Sequence, residues 1–177
     1  IPFSVVGLIL VVTALAFAAS GDLDPSFGSN GVVSPDFWVN AVAVQPDGKI
    51  VVCGDDGGGN TATGRVYRYL PDGAVDTAFG DNGVVETAAP LAALALQADG
   101  KIVVAGQRAL IRLNSTGSLD TSFGGSGIIT TTTSINQITD VALTVNNQLI
   151  IFGYTTNGMA IARYTNTGSR DLSFNGT

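Results

Sequence analysis

One eight-residue phrase stands four times in this chain, and that repetition limits the folds open to it. Gly21-Asp22-Leu23-Asp24-Pro25-Ser26-Phe27-Gly28 returns as Gly73-Ala74-Val75-Asp76-Thr77-Ala78-Phe79-Gly80, as Gly117-Ser118-Leu119-Asp120-Thr121-Ser122-Phe123-Gly124, and as Gly168-Ser169-Arg170-Asp171-Leu172-Ser173-Phe174-Asn175. Self-similarity at roughly 45 to 50 residues belongs to propellers, solenoids and arrays, whose units bury their apolar faces only against a neighbour.

Within each unit a second segment repeats. Ala43-Val44-Gln45-Pro46-Asp47-Gly48-Lys49-Ile50-Val51-Val52-Cys53-Gly54 matches Ala95-Leu96-Gln97-Ala98-Asp99-Gly100-Lys101-Ile102-Val103-Val104-Ala105-Gly106, and a worn copy runs from Leu143 to Gly153 with Asn146-Asn147 in place of Asp-Gly. Both dipeptides tolerate positive φ, so each segment predicts strand, two-residue type I′ turn, strand. Third strands are expected at Arg65 to Leu70, Leu110 to Asn114 and Ala160 to Thr165, carrying Arg68, Arg112 and Arg163 at equivalent places. The β-branched runs Gly31-Val32-Val33, Gly83-Val84-Val85 and Gly127-Ile128-Ile129 follow the phrase as fourth strands. Four short antiparallel strands per unit is the arithmetic of a propeller blade, and no long run of period 3.6 appears after residue 20.

The chain therefore reads as all-β, with four-stranded antiparallel repeat units arranged as a partial, open β-propeller and preceded by an apolar N-terminal helix. Residues 1–20 form the leading segment and residues 21–177 the repeats, with units at about 31–87, 88–132 and 133–177, the last incomplete. Residues 31 to 35 are expected as an isolated fourth strand. Closing a ring with that strand would leave about three blades where propellers have four to eight, so an open arc is expected, with exposed edges able to self-associate.

The pairing of Asp-Gly-Lys-Ile-Val-Val-x-Gly with Asp-x-Ser-Phe-Gly-x-x-Gly, at Asp47 to Gly54 with Asp76 to Gly83 and at Asp99 to Gly106 with Asp120 to Gly127, resembles the delta-60 repeat family of bacterial secreted and surface proteins. The resemblance covers nearly the whole chain beyond Ser20. It implies a propeller-like β-repeat, extracellular, without an assigned catalytic activity.

Ile1 to Ala19 carries no charge and ends in small residues, with Ala16-Phe17-Ala18 matching the small-x-small cleavage rule. This predicts a signal peptide; a retained membrane anchor or an assembly helix are the alternatives, and any membrane contact would run through residues 1–19 if they are kept. The chain lacks an initiator Met and stops inside the fourth phrase, so it is expected to be a piece of a longer repeat protein.

The absence of histidine removes the commonest general base and the His-dependent triads. The single cysteine, Cys53, falls at a core strand position shared with Ala105 and Phe152. Asp24, Asp76, Asp120 and Asp171 are expected to fix turns, with calcium ligation as a weaker reading that extends to Asp55 and Asp56 in the glycine loop Asp55-Asp56-Gly57-Gly58-Gly59-Asn60. Phe27, Phe79, Phe123 and Phe174 are expected as plugs between blades, and the repeated arginines as partners of a neighbouring unit's loop, with the repeated aspartate as a candidate acceptor. A net charge of −6 without a basic stripe argues against nucleic acid. No catalytic or cofactor-binding residue is expected. The functional expectation is a non-catalytic secreted or cell-surface module that binds a protein or glycan or serves as a scaffold. Its alternative is a structural subunit of a filament or membrane-attached assembly that keeps its hydrophobic N-terminal helix.

Overall fold

The computed structural model describes residues 21–58, 62–131 and 135–175. The predicted helix and signal peptide at residues 1–20 lie outside these, as do Gly59 and Asn60 of the glycine loop. Among the described residues no helix is long and apolar enough to cross a membrane.

Three antiparallel sheets follow one another along the chain. The first contains β1 (Trp38–Val44), β2 (Ile50–Asp55), β3 (Gly64–Tyr69) and β4 (Val84–Thr87), and the second β5 (Leu91–Leu96), β6 (Ile102–Gly106), β7 (Ala109–Leu113) and β8 (Ile128–Thr130). The third holds only β9 (Gln137–Leu143), β10 (Leu149–Thr155) and β11 (Gly158–Tyr164), followed by a 3₁₀ turn at Leu172–Asn175. Strands neighbour one another in chain order within every sheet, as in a propeller blade.

The turns depart from expectation. Gly48 N–H bonds to Gln45 C=O at 2.9 Å and Gln45 N–H to Lys49 C=O at 2.8 Å, and only Gly48 in this loop has positive φ, at 84°. This is a three-residue loop, a type I turn closed by a left-handed residue, and not the two-residue type I′ turn. Pro46 suits the first central place of the type I turn, where φ is near −65°, and Ala98 and Val145 hold the same place in the other two units, whose loops close with the same hydrogen bonds. Gly100 and Asn147 occupy the same left-handed place, which explains why Asn can stand there.

Residues 31–35 also depart from expectation. In place of a strand, Val32 makes only bridge contacts with Gly28 and Ser29. A fourth strand needs a third strand beside it, and no sheet precedes β1 among the described residues.

Each sheet has a front face toward the preceding unit and a rear face toward the next. On the first sheet the register puts Val42, Val52 and Tyr67 on the front, and Ala41, Cys53 and Val66 on the rear. The core lies between sheets. Val51, Cys53, Val66 and Phe79 from the rear of the first sheet pack with Leu91, Ile102, Val104, Ile111 and Leu113 of the second. Val103, Ala105, Leu110 and Phe123 pack in the same way against Ile138, Val141, Leu149 and Ile151 of the third. Phe79 and Phe123 are fully enclosed whereas Phe174 is 38% exposed. Phe123→Ala is therefore expected to cost about 3 to 5 kcal/mol by leaving a cavity, and Phe174→Ala clearly less. Urea unfolding followed by far-UV circular dichroism measures both.

Candidate functional site

The repeated phrase builds one polar cluster per unit. In the first, Arg68 Nε donates to Asp76 Oδ2 at 2.8 Å and Lys49 Nζ lies 3.1 Å from the same oxygen. The guanidinium stacks 4.5 Å above the Phe79 ring, and its Nη1 donates to the carbonyl of Ser115 in the next unit. Backbone bonds hold the arginine on both sides: Arg68 N–H donates to Gly83 C=O at 3.1 Å and Asp76 N–H to Arg68 C=O at 2.9 Å. The second unit repeats the set with Arg112, Asp120, Lys101 and Phe123, and Arg112 reaches Asn166 of the third unit. In the third, Arg163 bonds Asp171 at 2.7 Å and stacks on Phe174, while Gln148 stands 3.4 Å from Asp171 where the others have lysine. The aspartate thus belongs to the arginine's own unit, and the neighbouring unit supplies a backbone carbonyl.

The phrase's last glycine completes the link. Gly80 N–H donates to Thr116 C=O at 2.8 Å and Gly124 N–H to Thr167 C=O at 2.9 Å. Gly117 sits so close that a Cβ there would lie 2.6 Å from the Gly80 nitrogen, and its φ is +90°. Only glycine serves both demands.

These contacts set the chemistry of the carboxylates. Hydrogen bonds from Ser122, against the opposing effect of burial, hold Asp120 well below the usual carboxylate range, with Lys101 and Arg112 adding to the shift. Burial raises Asp76, yet bonds from Lys49, Ala78 N–H and Arg68 outweigh it and the net shift is downward. Asp171 is lowered first by Ser173, and Asp24 by Ser26, which donates from Oγ at 2.6 Å and N at 2.9 Å. A cation at Asp76 or Asp120 would have to displace a guanidinium and an ammonium. Among the described residues no group of three or more His, Cys, Asp or Glu is placed to hold a metal ion. Cys53 is fully enclosed and burial pushes its thiol up to about 12, the state of an inert core thiol.

What breaks the repeat symmetry gathers at the other end of the strands. Each inner strand carries a bulge, at Val39/Ala41 in β1, at Leu91/Ala93 in β5 and between Ile138 and Asp140 in β9. Asn40 stands at the first, and its Nδ2 donates to Asp55 Oδ2 at 2.9 Å and to Leu91 C=O at 2.8 Å. Beside them opens a cleft of about 230 Å³ that also receives Gln107 and Gln137, two exposed residues linked by a bridge between the second and third sheets. Asp55 lines this cleft. Asp56 points instead into its own hairpin, bonded by Thr63 Oγ1 at 2.8 Å and held low by it. Trp38, 71% exposed and paired in register with Asp55, rests its indole against Gly57, where a Cβ would lie 2.6 Å from Nε1. An exposed indole beside amides and a carboxylate suits stacking plus hydrogen bonding of a ligand.

Sequence reasoning missed Trp38, Asn40, Gln107, Gln137 and the lysines Lys49 and Lys101. The lysines carried a signal, since each follows Asp-Gly in a repeat. Asn40, Gln107 and Gln137 carried none, because a bulge and a meeting of units are register events.

The repeated aspartates are depressed in the folded state, so their contribution is present above the unfolded value of about 3.9 and is lost as pH falls through the folded values. With no histidine to titrate, the thermal midpoint is expected to be flat from about pH 5 to 8 and to fall steadily below about pH 4. Arg112→Ala removes one of two cations from a buried carboxylate that keeps Lys101 and Ser122, and is expected to cost up to about 3 kcal/mol, with Arg163→Ala costing less at the more exposed third cluster. Calorimetry across pH and urea titration of the two variants check these outcomes.

No curated protein matches the chain. Among solved structures it is similar to the crystal structure of the WD40 beta propeller domain of Doa1, at 19% identity and a TM-score of 0.50, a likeness of fold alone. The match covers 71% of this chain and 36% of that one, so the chain spans little more than a third of the structure's length. A family model described as a domain of unknown function, the DUF5122 beta-propeller, matches residues 45–79, 97–123 and 146–174. Those three spans start at the type I turns and run through the arginine, aspartate and phenylalanine clusters, and the chain belongs to the DUF5122 β-propeller family.

Proposed function

We propose that this chain is a non-catalytic binding or scaffolding module of the delta-60 kind, exported to the cell surface or beyond, which takes a protein or glycan ligand at the cleft beside Trp38. One observation carries the reading: the charged residues that obey the repeat are engaged inside the junctions, while Trp38, Asn40, Asp55, Gln107 and Gln137, which break it, gather at one end of the strands. Propeller ligands are recognised by loop ends that vary on a constant scaffold. The absence of histidine and the engagement of the repeated aspartates in ion pairs support a non-catalytic role. The uncharged run at Ile1 to Ala19 supports export.

Glycan and protein arrays probed with the chain test the binding half of this reading. A ligand whose signal is lost in Trp38→Ala and Gln107→Ala, with unchanged circular dichroism, is the expected result. Silence on both arrays would count heavily against it. N-terminal sequencing of material recovered from the native host tests the other half. A start just beyond Ala18 is expected for an exported module, and a start at or before Ile1 would favour the structural subunit that keeps its apolar helix.

A further inference from the structure

A second recess lies between the first and second sheets and shares no lining residue with the cleft. It is an apolar groove of about 270 Å³, walled by Val85 of the first sheet and by Ala109, Ile111, Leu113, Leu119 and Ile128 of the second unit. Leu119 and Ile128 are large and aliphatic, yet 43% and 41% exposed. Both sheets hold all four of their strands, so the walls are complete within the described residues.

The polar side chains along the groove are already engaged. Glu86 lies 3.7 Å from Arg65, its partner in register, and Thr87 Oγ1 donates to Ala89 C=O at 2.9 Å. What remains is apolar surface. Ala109, Ile111 and Leu113 are alternate residues of β7, so the groove follows that strand for about 13 Å at the usual rise of an extended chain. The repeat does not impose this lining, since the third unit has Ala162, Tyr164 and Arg170 where the second has Ile111, Leu113 and Leu119.

Where β7 begins, the turn residue before Ala109 is Arg108. Its C=O accepts from Thr131 N–H at 2.8 Å, which fixes the turn beside the end of β8. Its φ is +55°, whereas the other non-glycine residues with positive φ among those described are Asn30, Asn82 and Asn147. Arginine is uncommon in that conformation, and a residue held there against backbone preference points to a role. Six of the eight cationic side chains stand in ion pairs. Arg108 is exposed and forms no ion pair among the described residues.

We infer that this groove docks an extended peptide of a partner protein, one that carries apolar side chains at alternate places and an Asp or Glu beside them. The apolar side chains enter between Val85 and Ile128, and the carboxylate pairs with Arg108. An apolar cavity of about 150 Å³ holds a benzene ring, so the groove has room for one or two aliphatic or aromatic side chains. An extended chain suits it because alternate side chains point the same way, as the lining residues of β7 do. In addition, β4 pairs only with β3, and a free sheet edge beside an apolar recess offers backbone hydrogen bonds to an added strand. A neutral apolar ligand leaves Arg108 unused, and a basic one is repelled by it. Because the two recesses are lined separately, the docking stands whatever binds at the cleft.

Fluorescence polarisation of short labelled synthetic peptides against the full chain is the test. One set carries leucines at alternate places flanked on both sides by aspartate. In matched sets the leucines are replaced by alanine, or the aspartates by lysine. Binding is expected from the first set alone, and it should weaken as salt screens Arg108. Leu119→Ser and Ile128→Thr, both at exposed positions, should each weaken it about tenfold through lost apolar contact. Arg108→Asn, which the left-handed turn accepts, should also weaken it and remove the salt dependence. Circular dichroism should be unchanged in all three variants, and Trp38→Ala and Gln107→Ala should bind as the parent chain does. Binding by none of the sets, equal binding of the aspartate and lysine sets, or undiminished binding by either the Leu119→Ser and Ile128→Thr variants or Arg108→Asn would overturn the proposal. Loss of binding in Trp38→Ala but not in Leu119→Ser would place the peptide in the cleft, and would overturn the groove as its site.

Discussion

An arginine buried between two sheets holds this structure together. Arg68 and Arg112 each meet an aspartate of their own unit, lie flat on a phenylalanine ring, and donate across the junction to a backbone carbonyl of the next unit. A buried ion pair is weak evidence of net stabilisation, since desolvation offsets most of the attraction. Its value here is geometric. The planar guanidinium presents donors in fixed directions, so one side chain ties a strand, a turn and a neighbouring turn into a single arrangement. The apolar faces then supply the bulk of the stabilisation once they are brought into register.

The same cluster separates scaffold from candidate site. The aspartates that first suggested chemistry are engaged by arginine, lysine, serine and backbone N–H groups, which leaves them ionised and occupied. A repeat protein must spend its recurrent polar residues on recurrent contacts, because every unit faces the same neighbour. Individual function then falls to positions where the units differ. In this chain the units differ at a bulge asparagine and two glutamines around one cleft, and at an exposed tryptophan paired in register with Asp55 of that cleft.

Much of this was legible before the fold was known, though unevenly. Asp-x-x-Phe-Gly announced a turn and a plug, and both are present at Asp76 to Gly80 and Asp120 to Gly124. The turn type was misjudged at Asp47-Gly48, where the turn is centred one residue earlier and only Gly48 takes positive φ. The isolated strand at residues 31–35 failed because strand propensity is realised only beside a partner. Asn40 could not be found at all, since nothing in the local pattern marks which residue of β1 will be left out of register.

By itself the sequence determined the repeat, the all-β class, the strand order within a unit and the turns at which glycine or asparagine must take positive φ. These are local properties, governed by backbone sterics and by the alternation of side chains along a strand. Tertiary structure alone decided that Arg68 takes its carboxylate from its own unit and its carbonyl from the next, that Phe174 is left partly exposed where Phe79 and Phe123 are enclosed, and that Asn40, Asp55, Gln107 and Gln137 meet around one cleft. The reason is that each depends on how one sheet packs on another, and no repeat unit contains the surface against which it will be buried.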